Sequence, residues 1–335
     1  MTPSVSREQL RQIPHVNGEA LGDRAVNLMP LWDGEKWLSW VPIDGGNIIQ
    51  MPILGVAEGN YLAKTAQLNS DLFVPFVDLM WQRASWPEIV PFINAMEDDF
   101  RNMGTSIAKL KHIFQTRNLL PPGACRAFAA TELEYLIVLC RTVFDLLQEI
   151  IAQIWHARVV LLDPAAERSR KAGKLPDTFS RMCLRDNNPR STSEMEGKCG
   201  LPGPLAEQYA QATPFFIELR ELRNGIVHHG TEFDHIFDTE RGFCIRKDSH
   251  VLSAISCRFT HEYNEHLVSI LPFLSTVIMQ TISTCTSLVN TFASLIQLPE
   301  AIAPSYHVFV RGPHTSALLE VLEIYNGASP WWGIL

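Results

Sequence analysis

Residues 220–230 read RELRNGIVHHG and place two arginines and two adjacent histidines within three helical turns. Histidine moves a proton near neutral pH, and arginine presents a charged fork to a phosphate oxygen. At 100° per residue Asn224 and His228 lie about 40° apart and Glu221 and His228 nearly superpose. Arg223 stands about 140° from His228, a gap that a long side chain can span. Such a set supports phosphodiester cleavage, because fixed cations stabilise the charge that develops on phosphate. In this reading Arg223 and His228 are catalytic and Asn224 orients the imidazole or donates to the phosphate. Glu221, His229 and Arg220 are supporting residues. The plainer alternative is a basic helix C-terminus, where cations meet the last carbonyls. That role accounts for one histidine better than for the whole Arg-Asn-x-x-x-His-His set.

The elements that must hold these residues follow from the flanking pattern. Pro214 marks the expected start of the motif helix, with Gly230 as its C-terminal cap. Residues 130–160 carry the strongest helical periodicity, with Arg141 and Asp145 four apart along it. A further helix is expected from Glu97 to the Pro121-Pro122 stop, and a hairpin over 242–260. A long helix is expected over 261–298, and a strand over 306–312. Residues 1–96, rich in tryptophan and broken by Pro75, Pro87 and Pro91, read as an irregular, partly β arm packed on a helical core. The chain then divides into that arm, a helical bundle over 97–300 and a C-terminal strand and tail over 301–335. Residues 163–213 form a polar connector inside the bundle. Its basic run supplies Arg168, Arg170, Lys171 and Lys174 as candidate RNA contacts, against the alternative of a solvated loop.

The net charge of −8 argues against a general nucleic-acid coat, so any RNA must meet a local patch. The seven cysteines and the remaining histidines show no metal-ligand spacing, and neither a metal nor a cofactor is expected. Phosphate-loop, dinucleotide-loop and nucleophile-elbow patterns are absent. The opening residues hold no apolar run, and scattered cysteines suit a reducing compartment, so a cytoplasmic protein is expected. Residues 266–299 lack Asp, Glu, Lys and Arg, yet Ser, Thr, Asn and Gln fill one face. That pattern fits an amphipathic core helix rather than a membrane span.

Arg223-Asn224-x-x-x-His228 resembles the R-x(4–6)-H signature of HEPN domains, including the polar residue that follows the arginine in ribonuclease members. The long helix with Arg141 and Asp145, the loop and the later motif helix resemble that family's layout. The resemblance implies a mainly α, HEPN-like bundle with a partly β N-terminal arm and a short hairpin insertion. It also implies a homodimer whose paired Arg223 and His228 build one metal-independent ribonuclease site. Such a site uses the RNA 2′-hydroxyl as nucleophile on tRNA or mRNA. The family's toxin and anti-phage members imply an antitoxin or regulatory protein as a further partner. Members controlled through nucleotidyltransferase antitoxins carry a tyrosine two residues after the histidine. Gly230 occupies that place here. The alternative from a different class is a non-catalytic helical dimer that binds protein or RNA.

Overall fold

The computed structural model describes residues 5–169, 175–229, 233, 235–255, 257 and 260–332. Residues 31–73 supply five strands of a sheet, built where tryptophans and β-branched residues alternate in the sequence. After the short helix α1 (Arg7–Leu10) come β1 (Leu31–Trp32), β2 (Trp37–Pro42), β3 (Ile48–Ile53), β4 (Gly59–Ala63) and β5 (Leu72–Phe73). In β2 the period-two pattern buries Leu38 and Trp40 while Val41 stays exposed. Helices α2 (Pro75–Arg83), α3 (Val90–Gln115) and α4 (Ala124–Ala157) follow. Next come α5 (Pro164–Ser169), α6 (Phe179–Cys183), β6 (Leu184–Arg185), β7 (Asn188–Pro189), α7 (Thr192–Cys199) and α8 (Gly203–His229). The remainder holds β8 (Phe237–Asp238), β9 (Phe243–Arg246), α9 (His250–Ala254), β10 (Leu267–Ser269), α10 (Leu271–Leu295), β11 (His307–Arg311) and α11 (Pro313–Tyr325).

The fold class differs from the mainly α expectation. The chain is mixed, 52% helical and 14% strand, with one six-stranded mixed sheet and two smaller sheets. The large sheet runs β3-β2-β1-β4-β11-β5, with β1 parallel to β4 and the other pairs antiparallel. Its physical cause is long-range pairing. The tail strand β11 inserts between β4 and β5, so Val308 faces Leu62 and Phe309 faces both Tyr61 and Phe73. Residues 1–96 therefore supply five of the six strands, β1–β5, and the tail supplies the sixth, β11.

A buried ion pair fastens this join. Arg311 Nε and Nη2 each donate to Asp71 at 2.7 Å, and Tyr61 Oη donates to the same carboxylate at 2.6 Å. The amides of Gln67 and Leu68 complete its coordination at 3.0 and 2.6 Å. Every lone pair that burial would strand thereby finds a donor.

Beside the sheet, the long helices α3, α4, α8 and α10 pack on one another around a common apolar core. Helix α10 is long and apolar enough to cross a membrane, the sole such helix among the described residues, and 61% of its most apolar window is buried inside the fold. It begins at Leu271 rather than near 261, because Leu267–Ser269 pairs with β9 as a strand. The motif helix is longer than expected. It starts at Gly203 and carries Pro214 in its interior. Proline there forfeits one helical N–H, but Leu205, Ala206, Tyr209 and Ala212 are fully buried on the first turns. Tertiary burial overrides the local stop signal.

Candidate functional site

The polar end of α8 is set by its own spacing. Phe216, Arg220 and Arg223 fall four and three residues apart, so they share one helical face. Phe216 is fully buried, whereas Arg220, Arg223 and Asn224 are half-buried and Glu221 is exposed. Across from that face, α4 presents Arg141, whose guanidinium lies over the Phe216 ring at 4.3 Å. Arg141 Nη1 also stands 2.7 Å from Asp145 Oδ2 one turn along α4. The other Asp145 oxygen accepts from the Phe179 amide at 3.0 Å. Asp145 is thereby locked to α6 while it holds Arg141 against α8.

Three guanidinium groups converge here. Burial lowers the Arg141 pKa below its ordinary value; Asp145 pulls it back, and Arg220 and Arg223 push it down again. That effect places Arg220 and Arg223 each within electrostatic reach of Arg141. Arg223 Nη1 reaches Asn224 Oδ1 at 3.4 Å, and Arg220 Nη2 donates to Asn187 Oδ1 at 2.8 Å.

Asn187 arrives from the β6–β7 hairpin, whose two-residue turn sets both Asp186 and Asn187 at positive φ, 50° and 64°. After glycine, Asp and Asn are the residue types that tolerate that turn best. The next residue past the hairpin, Arg190, has its Nε buried without a hydrogen-bond partner. The buried Cys183 thiol, pushed up to about 12 by desolvation, feels the opposing pull of both Arg190 and Arg141. The hairpin thus leans a fourth cation toward the same region.

The expected site residues divide as follows. Arg223, Asn224 and Arg220 come together with Arg141, which the sequence offers either as half of an intrahelical pair or as part of a polar cluster facing a neighbouring helix. Asn187 escaped that reading as a site residue, and Arg190 entered it only as one of the connector's basic residues. Their turn signal was present in Asp186-Asn187, but nothing local shows where the hairpin points. His228 and His229 lie on the last turn of α8, and their side chains, like Gly230, fall outside the described residues. Arg168 is exposed at the end of α5, while Arg170, Lys171 and Lys174 also fall outside the described residues.

The basic run is partly neutralised. Arg158 pairs with Asp23 and Glu88 at 2.6 and 2.8 Å, Arg181 with Asp177 at 3.1 Å and Arg185 with Glu194 at 3.3 Å. Among the described residues no three His, Cys, Asp or Glu side chains are grouped to hold a metal ion. Chemically, the arginines where α4 meets α8 offer an excess of fixed positive charge beside two amide side chains, which suits a phosphodiester. Comparison of the chain with protein-family models, curated proteins and solved structures finds no match.

Proposed function

We propose that the α4–α8 cluster grips an RNA phosphate and that the end of α8 cuts the chain there. One observation carries the reading: Arg220 and Arg223 both act on Arg141, and among the described residues Asp145 is the carboxylate paired into the group. Arg220 and Arg223 hold the phosphate oxygens, and Asn224 orients the nucleotide. His228 accepts the 2′-hydroxyl proton while the 2′-oxygen bonds to phosphorus. The 5′-oxygen leaves as an alcohol by taking a proton from water, and the product ends in a 2′,3′-cyclic phosphate. The activity is that of a metal-independent endoribonuclease on tRNA or mRNA. The Arg-Asn-x-x-x-His pattern supports it through likeness to HEPN ribonucleases at the level of residues, not of fold. A homodimer that pairs two α8 ends, a cytoplasmic location and a toxin or defence role held in check by a partner protein belong to the same proposal.

A second reading, RNA binding without cleavage, draws on the same arginines, since three of them grip phosphate with no histidine involved. One experiment separates the two. Purified protein is incubated with total tRNA and mRNA in EDTA beside His228→Ala and Arg223→Ala. Cleavage by wild type alone, with cyclic-phosphate ends, supports the first reading. RNA bound but never cut, with binding lost in Arg223→Ala, supports the second.

A further inference from the structure

A cavity of about 140 Å³ opens where β5 and β11 meet α2, α3, α10 and α11. An apolar cavity of roughly 150 Å³ holds one benzene-sized body. Val77, Phe100, Met279, Ile282 and Leu318 supply apolar wall from four different helices. Val77, Phe100 and Leu318 are buried, whereas Met279 and Ile282 are half-buried. The Phe100 ring and the polarisable thioether of Met279 both favour an aromatic neighbour over an alkyl one.

Three polar side chains share the lining: Glu97, Arg101 and His314. His314 Nδ1 is sealed from any ligand, since it has essentially no accessible surface. Arg101 Nη1 lies 3.1 Å from Asp98 and its Nε 3.8 Å from Glu58, and the side chain is 44% exposed. Glu97 Oε1 accepts from Trp81 Nε1 at 2.7 Å and from Asn60 Nδ2 at 2.6 Å. Burial raises the Glu97 pKa, and those two donors pull it back. Its Oε2 accepts no hydrogen bond among the described residues, yet it is not one of the sealed atoms. One acceptor in an apolar wall is therefore open.

The charges select against a charged ligand. An ammonium set against Glu97 would also face Arg101 one turn along α3, and a carboxylate set against Arg101 would face Glu97 and Asp98. A neutral donor avoids both conflicts and satisfies the open oxygen. We infer that this cavity binds a phenol, a single neutral aromatic ring whose hydroxyl donates to Glu97 Oε2 while the ring lies among Phe100, Met279, Ile282 and Leu318. The site is separate from the arginine cluster and does not depend on its activity.

Isothermal titration of the full chain at pH 8 with phenol, toluene, benzoate and benzylamine tests it. Phenol is expected to bind with a Kd of ~1 mM or below, within reach of so small a molecule. Toluene, which lacks the donor, and the two charged analogues are each expected to bind ~5-fold or more weakly. Val310 also lines the cavity, and Val310→Phe, which fills it, is expected to weaken phenol binding ~10-fold or more while the circular-dichroism melt holds. Glu97→Gln keeps one acceptor for Trp81 and Asn60 but replaces the open oxygen with an amide nitrogen, so the preference for phenol over toluene is expected to fall below ~2-fold. The inference is overturned if phenol does not bind at ~10 mM, or if toluene or a charged analogue binds as tightly. It is equally overturned if a folded Val310→Phe binds like wild type or if Glu97→Gln keeps the full preference. Should Val310→Phe not fold, Glu97→Gln and the ligand series decide the question.

Discussion

Arg220 on α8 and Asn187 at the β6–β7 turn meet through a 2.8 Å hydrogen bond across 33 residues of chain. The contact aims one guanidinium of the cluster and pins the hairpin to the motif helix. Its two roles separate by substitution at Asn187, which sits at φ 64°. Asn187→Gly keeps the left-handed conformation and removes the acceptor, so only the exposed bond is lost, about 0.5–1 kcal/mol. Asn187→Ala loses the bond and adds left-handed strain, leaving it about 1 kcal/mol less stable than the glycine variant. Urea denaturation of both checks this; equal stability would show that the turn is not held at positive φ. Both variants are expected to weaken RNA binding alike, because both release Arg220.

The arginine cluster predicts a salt signature. If Arg141, Arg220 and Arg223 neutralise RNA phosphates, each removed arginine lowers the slope of log affinity against log salt by about 0.7 for single-stranded RNA. Arg220→Ala and Arg223→Ala should each lower it by that amount, measured by filter binding between low and moderate salt. Arg168→Ala, at an exposed position on α5, is the comparison. A slope that falls with Arg168 and not with the α8 arginines would move the RNA path off the arginine cluster.

What the sequence disclosed about this site depends on distance along the chain. Arg220, Arg223 and Asn224 share a helical face by spacing alone, and their convergence needs nothing beyond the period of α8. Arg141 was visible as half of an i,i+4 pair, but its partnership with Phe216 depends on how α4 packs on α8. Asn187 was legible as a turn residue and illegible as a site residue, because a hairpin's direction is set by what it lands on. The fold suffered most from this limit. Strand β11 was readable locally, yet its pairing with Gly59–Ala63 joins residues nearly 250 positions apart, and no periodicity reports that. Pro214 misled for the opposite reason: the local signal was strong, and buried Tyr209 and Leu205 outweighed it.

The Asp71–Arg311 pair that closes the sheet should dominate acid sensitivity. Burial pushes the Asp71 pKa up, but donors from Arg311, Tyr61 and Leu68 outweigh it and hold the carboxyl below its ordinary value. A depressed folded pKa means that the stability it contributes is complete above the unfolded value of about 3.9 and is lost as pH falls through the folded value. Asp71→Asn leaves Arg311, whose side chain is 11% exposed, without its counter-charge and is expected to cost about 3–5 kcal/mol. Asp71→Asn with Arg311→Met should recover part of that loss. Urea melts between pH 3 and 7 check both points. A single variant with an acid limb as steep as wild type would assign that limb elsewhere.

Gly104 gives a prediction whose sign distinguishes packing from propensity. It lies inside α3, where glycine is about 1 kcal/mol worse than alanine on intrinsic grounds. A methyl group there would nevertheless press on the His314 carbonyl oxygen, with His314 Cβ at 2.9 Å. His314 begins the second residue of α11 and is itself wedged near Gly312, so neither backbone has room to retreat. Close-packed elements resist such intrusion at a cost of about 1–3 kcal/mol. Gly104→Ala should therefore destabilise the fold by about 1–2 kcal/mol after the propensity gain is subtracted. Ala108→Gly, a surface-facing change one turn further along α3, should destabilise by propensity alone, about 1 kcal/mol. If Gly104→Ala instead raises the melting temperature, α11 can slide along α3, and the close approach at His314 is not a fixed feature of the fold.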